Sequence, residues 1–241
     1  MAVSLIGLVR SRQLWPIVLV QSCGALNDNL VKNAMVVLAI FRLGIGGTGL
    51  SALAGALFIA PYILLSATAG TLADRFSKPR LVLIYKLAEL LLMAAAAAAF
   101  LCASVPALQA VLVGLGVQAA LFGPVKYGVL PEYFAADQLV AGNGIIEATT
   151  FLSIVCGTVA GGVLILLPSG SVAVDAAGLL LSLTGLFGAL RMPPAPPADP
   201  TLRLGFNVVA DSWRIVRSAS RLRPIWLSVL GLSGSEPWAR P

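Results

Sequence analysis

The chain has 241 residues, 59% hydrophobic and 11% charged, with a net charge of +6 and a mean hydropathy of +0.95. A water-soluble domain carries about 25% charged residues, so this composition excludes an ordinary soluble globule and requires lipid over much of the surface. The positive charge does not indicate nucleic acid, because the basic residues fall in the gaps between apolar runs, where membrane topology places them.

Six stretches reach the roughly 20 mostly apolar residues that a spanning helix needs: 15–41, 49–73, 81–104, 107–130, 143–167 and 172–190. The first follows Arg10 and Arg12 and runs on past Cys23, so it reads as a span and not as a cleaved secretory signal. It contains Asn27-Asp28-Asn29-Leu30-Val31-Lys32-Asn33. Charges inside a bilayer are costly and are functional by default. Asp28 and Lys32 stand four apart, a spacing that lets them pair on one helix face. Gly24, one turn earlier, leaves room for a partner helix or ligand. Such a polar face on a first helix suits a central cavity.

Gly70-Thr71-Leu72-Ala73-Asp74-Arg75-Phe76-Ser77-Lys78-Pro79-Arg80 joins the second and third spans. Gly70 is expected to permit close helix approach. Asp74 is placed to cap a helix start or pair with a cation. Arg75, Lys78 and Arg80 hold the loop on the cytoplasmic side. Lys86 and Glu89 on the third span form a further possible pair, although Lys86 lies near the cytoplasmic end, where it can snorkel. Gly123-Pro124-Val125-Lys126-Tyr127-Gly128 ends the fourth span, with a kink or break expected at Gly-Pro. Lys126 is expected near the inner headgroup level, either meeting a lipid phosphate or serving as a positive-inside anchor. The fifth span carries Asn143, Glu147 and Thr150 on one face, then Gly157 and Gly161 at the spacing of tightly packed helices. Glu147 reads as a lone intramembrane carboxylate able to bind a cation, carry a proton or meet a substrate amine.

Orientation follows from the gaps. Arg10, Arg12, Arg75, Lys78, Arg80, Lys126 and Arg191 collect on one side and only Arg42 on the other, which predicts a cytoplasmic N-terminus. Three units are expected: a six-helix bundle over 1–191, a cytoplasmic Pro-rich linker and amphipathic helix over 192–223, and the start of a seventh helix with an aberrant tail over 224–241. Within the second unit, Leu202, Phe206, Val209, Trp213 and Val216 form an apolar stripe beside Arg203, Arg214, Arg217 and Arg221, a pattern suited to the anionic inner leaflet. The seventh run begins at Pro224-Ile225-Trp226-Leu227 and gives way to Ser233-Gly234-Ser235-Glu236-Pro237, so the end reads as cut off or frame-shifted.

Enzyme chemistry finds no support. Histidine is absent, the three cysteines (Cys23, Cys102 and Cys156) are scattered through apolar runs, and no metal spacing, nucleophile-base pair or phosphate loop is present. The expectation is no cofactor and no metal.

Three blocks carry a family resemblance. They are Ala25-Leu26-Asn27-Asp28-Asn29-Leu30-Val31-Lys32-Asn33-Ala34, then Ala73-Asp74-Arg75-Phe76-Ser77-Lys78-Pro79, then Phe122-Gly123-Pro124-Val125-Lys126-Tyr127-Gly128-Val129-Leu130-Pro131-Glu132 continuing into Gly142-Asn143-Gly144-Ile145-Ile146-Glu147. Together they resemble the bacterial lysophospholipid transporter family within the major facilitators. The resemblance implies the six-helix N-terminal half of an all-α, twelve-helix fold in the cell inner membrane. It also implies a latch role for the loop at Gly70, Asp74, Arg75, Lys78 and Arg80. Movement of lysophosphatidylethanolamine and related lysolipids to the inner leaflet is the implied activity, with an acyltransferase, fused or separate, as the implied partner. Asp28, Asn29, Lys32, Lys126, Asn143 and Glu147 would line the headgroup path. Alternatives are a proton-coupled drug or metabolite antiporter, with Glu147 as carrier, and a membrane scaffold for a lipid acyltransferase. Cys156-Gly157-Thr158-Val159-Ala160-Gly161-Gly162 lacks the proline that such antiporters often show in the fifth helix.

Overall fold

The computed structural model describes residues 11–45 and 48–202. Backbone amides in lipid must be satisfied within their own segment, and the described residues form helices and no strands. These are α1 (Leu14–Val37), continued by a π-helical turn (Leu38–Arg42), α2 (Thr48–Arg75), α3 (Lys78–Leu101), α4 (Val105–Gly128), α5 (Leu130–Tyr133), α6 (Ala136–Leu164) and α7 (Gly170–Leu190). Local chemistry marks the starts. Ser104 Oγ accepts from Ala107 N at 3.4 Å to cap α4, and prolines sit in the first turns of α3 and α4, where no amide is needed.

Five helices are long and apolar enough to cross a membrane: α2, α3, α4 with its continuation into α5, α6 and α7. α1 is not among them, because its Asn-Asp-Asn run and Lys32-Asn33 dilute its apolar character. It is nonetheless a central element, packed against α6 and α7, while α2 packs on α4 and α3 on α4 and α7. Backbone-to-backbone contact explains the α1–α6 seam. A Cβ added at Gly157 would strike the Leu26 carbonyl, and one at Gly161 the Leu30 carbonyl. The packing role expected of these two glycines is what the structure shows. Gly116 does the same for α4 against Phe58 of α2. Gly70 differs from expectation: a Cβ there would meet nothing within 4 Å, so no close approach depends on it among the described residues.

Two large apolar clusters fill the bundle, beside a small one of Ala39, Leu50 and Val105. One gathers Leu14, Ile17, Val82, Phe122, Val125 and Ile146, the other Leu30, Met35, Met93, Phe100, Leu112 and Ile165. Between them, on α1, α3 and α4, lie Gln21, Asn27, Asp28, Asn29, Lys86, Glu89 and Gln118, all buried. The polar layer is therefore sandwiched in mid-bundle. Arg42 marks one end of the bundle, donating to the Leu167 carbonyl beside the α6–α7 turn. Arg12 and Arg191 share a recess at the other end.

Helix limits depart from the apolar runs in an instructive way. The gap between the fourth and fifth apolar runs shrinks to Phe134 and Ala135, and α6 starts at Ala136. Its opening turn carries Asp137 and Gln138. Hydropathy reads contact with lipid, whereas a helix is free to project beyond the hydrocarbon into the headgroup layer. α4 runs through Pro124 without a break and stops at Gly128. The expected amphipathic stripe and arginine row lie outside the described residues except for Leu202, and the seventh apolar run lies outside them altogether.

Candidate functional site: a charged cavity between the apolar clusters

Lys86 and Glu89 anchor the polar layer. Lys86 Nζ lies 2.6 Å from Glu89 Oε2, and both side chains are almost wholly buried. Of the two readings of Lys86, the pair with Glu89 forms and snorkelling does not. Glycines make its socket: a Cβ at Gly24 would come within 2.9 Å of Lys86 Nζ, and one at Gly185 within 3.2 Å. Gly24 accordingly makes room for a partner helix through that helix's lysine. Glu89 collects further donors, Asn27 Nδ2 at 3.1 Å and Gln118 Nε2 at 3.3 Å. The Asn27 amide also lies 2.9 Å from Ser182 Oγ and 3.2 Å from the Gly178 carbonyl. The Glu89 carboxylate therefore ties α1, α3 and α4 together, and the Asn27 amide extends the network to α7. A buried ion pair is sustainable only with such additional hydrogen bonds.

Beside this network lies a cavity of about 330 Å³. α1 contributes Gln21, Asp28 and Asn29, α2 contributes Phe58 and Tyr62, and α3 contributes Lys86. α4 supplies Gln118, Lys126 and Tyr127, and α6 supplies Thr150. Gln21 Nε2 donates to Thr150 Oγ1 at 3.1 Å, bridging α1 and α6 across the wall. Asp28 is buried, and its Oδ1 has no hydrogen-bond partner among the described residues. The pairing expected between Asp28 and Lys32 does not form. Lys32 Nζ instead donates to Asn29 Oδ1 at 2.9 Å and lies 5.6 Å from the centre of the Phe58 ring. On a helix the lysine stem reaches the i−3 acceptor as readily as i−4.

Glu147 is not a lone carboxylate. Its Oε1 accepts from the Tyr127 hydroxyl and lies 3.6 Å from Lys126 Nζ. Lys126 is correspondingly a cavity-wall residue, with its ammonium also 4.5 Å from the Tyr127 ring centre. Asn143 stays apart, its amide donating to the Leu139 carbonyl of its own helix at 3.0 Å. Of the six residues expected to line a path, Asp28, Asn29 and Lys126 share the cavity. Glu147 abuts it through Lys126 and Tyr127, Lys32 touches it through Asn29 and Phe58, and Asn143 does not reach it. Gln21, Gln118, Tyr62 and Ser182 escaped the sequence reading. A single polar residue in an apolar run was the signal available for Gln21 and Gln118.

The loop after α2 is tight, only Phe76 and Ser77. Lys78 is not a loop residue but a buried one in the first turn of α3, where it pairs with Glu132. Its stem fills the space left by Gly128, where a Cβ would lie 2.8 Å from Lys78 Cε. Asp74 is exposed and makes neither of its expected contacts among the described residues, no ion pair and no cap on α3. Its backbone carbonyl accepts from Asp199 N at 2.9 Å.

Apolar helices of spanning length around a charged, hydrogen-bonded cavity define a multi-pass membrane protein with a polar interior. The chain belongs to the Major Facilitator Superfamily, whose family model matches residues 17–235. Among curated relatives, the lysophospholipid transporter LplT of Pectobacterium carotovorum subsp. carotovorum (strain PC1) is 43% identical over 108 residues, 44% of this chain and 25% of that protein. LplT of Salmonella heidelberg (strain SL476) and of Salmonella agona (strain SL483) are each 42% identical over 108 residues, with the same coverage. The matched region is thus a quarter of the length of these relatives.

Proposed function

We propose that this chain forms the first six-helix half of a lysophospholipid transporter. In this reading 1–191 is the bundle, 192–223 the cytoplasmic linker with its interfacial helix and 224–241 the start of a seventh span. The N-terminus faces the cytoplasm and the bilayer is the inner membrane. α1 is the sixth crossing, shielded from lipid by α6 and α7 despite its polar run. The observation that carries the reading is the presence of Asp28, with an unsatisfied carboxylate oxygen, and Lys126 on one mid-bundle cavity. A zwitterionic headgroup presents an ammonium and a phosphate a few ångströms apart. Asp28 attracts the first and Lys126 the second, while Gln21, Gln118 and Thr150 supply neutral hydrogen bonds. Charge-charge attraction of this kind is strong where water is excluded. The similarity to LplT proteins points to the same substrate class. Lysolipid delivered to the inner leaflet is a substrate for re-acylation, so an acyltransferase is the expected partner. The loop at Gly70, Asp74, Arg75, Lys78 and Arg80 remains the proposed latch.

Proton-coupled export, with Glu147 as carrier, gains nothing from the geometry, since Glu147 is already engaged by Tyr127 and Lys126. Binding of fluorescent lysophosphatidylethanolamine to the protein in nanodiscs tests the proposal. Asp28→Asn and Lys126→Gln are expected each to weaken binding about ten-fold, the loss of one charge-assisted contact. Unchanged affinity in both overturns the assignment.

A further inference from the structure

A second cavity, sharing no lining residue with the first, lies at the end of the bundle that carries Arg12 and Arg191. After α7 the chain runs as an extended strap. Ser77 Oγ donates to the Ala195 carbonyl at 2.8 Å, Tyr133 Oη to the Pro193 carbonyl at 2.5 Å, and Asp199 N to the Asp74 carbonyl at 2.9 Å. Within the strap, Met192 and Ala195 are buried. Strap, loop and the facing ends of α3 and α7 border an open recess of about 730 Å³. The lining is mostly apolar, including Leu81, Leu83, Ile84 and Leu190; its polar members are Arg75, Arg80 and Ser77, whose hydroxyl is engaged by the Ala195 carbonyl. No carboxylate lines the cavity. Among the described residues the ion pairs are Lys78–Glu132, Lys86–Glu89 and Lys126–Glu147, so neither arginine has an anionic partner there.

The walls continue toward the bilayer centre as two apolar ridges. Ile84, Leu87 and Leu91 are exposed along α3, and Leu180, Leu183, Phe187 and Leu190 along α7. Spacings of three and four residues place each set on one helix face. α3 and α7 are packed neighbours, so the ridges flank a groove that opens at the cavity. A basic, open recess leading into an apolar groove matches an amphiphile with an anionic head.

We propose that this cavity is a binding site for an anionic diacyl phospholipid of the inner leaflet, its phosphate held by Arg75 and Arg80 and an acyl chain laid between α3 and α7. The site is separate from the headgroup cavity. The charge argument selects lipid over the chain's own continuation, because the following segment sets Arg203, Arg214, Arg217, Arg221 and Arg223 against Asp211 and so carries net positive charge that repels the same two arginines. Bound there, the lipid bridges the strap to the loop after α2.

The test is native mass spectrometry of the purified protein with phosphatidylglycerol or phosphatidylcholine added. Retention of a single phosphatidylglycerol, favoured over phosphatidylcholine by about ten-fold or more, is expected from two arginines at a membrane surface. Arg75→Gln/Arg80→Gln should abolish the preference. Arg42→Gln, at the opposite end, and Asp28→Asn, in the headgroup cavity, should leave it intact. Ile84→Asn should weaken retention while keeping the preference. Equal retention of the two lipids, or a preference that survives the double substitution, overturns the site. A comparable loss in Arg42→Gln does so too, by reducing the effect to general charge attraction. Because Asp28→Asn is carried in parallel, failure of the lysolipid reading and failure of this one are read separately.

Discussion

Lys86 Nζ and Glu89 Oε2 stand 2.6 Å apart with neither side chain reaching solvent or lipid. Asn27 and Gln118 complete the carboxylate's partners, and Gly24 and Gly185 open the space that the ammonium fills. Removing one member of such a pair strands the other, at a cost of about 3–5 kcal/mol, whereas removing both is far milder. Lys86→Met and Glu89→Met should each lower the thermal midpoint of the purified protein markedly. The double substitution should recover most of that loss. A double variant no better than the singles would show that the pair is not the unit of stability.

The α1–α6 seam makes a prediction of opposite sign at adjacent positions. A methyl group at Gly161 overlaps the Leu30 carbonyl, while one at Gly162 meets nothing within 4 Å. Gly161→Ala should destabilise by about 1–3 kcal/mol, the usual cost of overpacking. Gly162→Ala should be neutral or stabilising by up to about 1 kcal/mol, since alanine is the better helix former. Thermal unfolding in one detergent reads both.

Asn143 and Gln21 separate the cavity from its surroundings. The Asn143 amide is satisfied by Leu139 of its own helix, and Gln21 reaches across to Thr150 in the cavity wall. Asn143→Ala should leave lysolipid affinity unchanged. Gln21→Ala should weaken it several-fold, in line with about 1 kcal/mol for a neutral hydrogen bond. Equal effects would mean that the cavity does not hold the headgroup.

Topology is readable from the cysteines. Cys23 is buried, and Cys102 and Cys156 are exposed. Cys102 caps the C-terminal end of α3, at the far end from Arg80, whereas Cys156 lies within α6. A charged, impermeant thiol reagent added to intact spheroplasts should label Cys102 and spare Cys23 and Cys156, the last because lipid covers that face. Labelling of Cys102 only after the cells are opened would reverse the proposed orientation.

The class of the molecule and most of its helices were legible in the residue order, because apolar runs of spanning length have one stable outcome in lipid. So was the packing role of Gly157 and Gly161, since small residues four apart share one helix face. Spacing along a single helix also singled out Asp28, Asn29, Lys126 and Glu147. What it lacked was the neighbour across the gap. Spacing leaves Lys86 either paired with Glu89 or snorkelling until Gly24 of α1 and Gly185 of α7 are seen to make its socket. Asp28 reads as the partner of Lys32 until Asn29 takes that lysine, and Lys78 reads as a loop cation until Glu132 captures it. Single-helix geometry sets which residues share a face. Whether a charge on that face ends up paired, bridged or exposed to a cavity is decided by groups distant in sequence. Their approach depends on how the helices pack, and that was decided only by the tertiary structure.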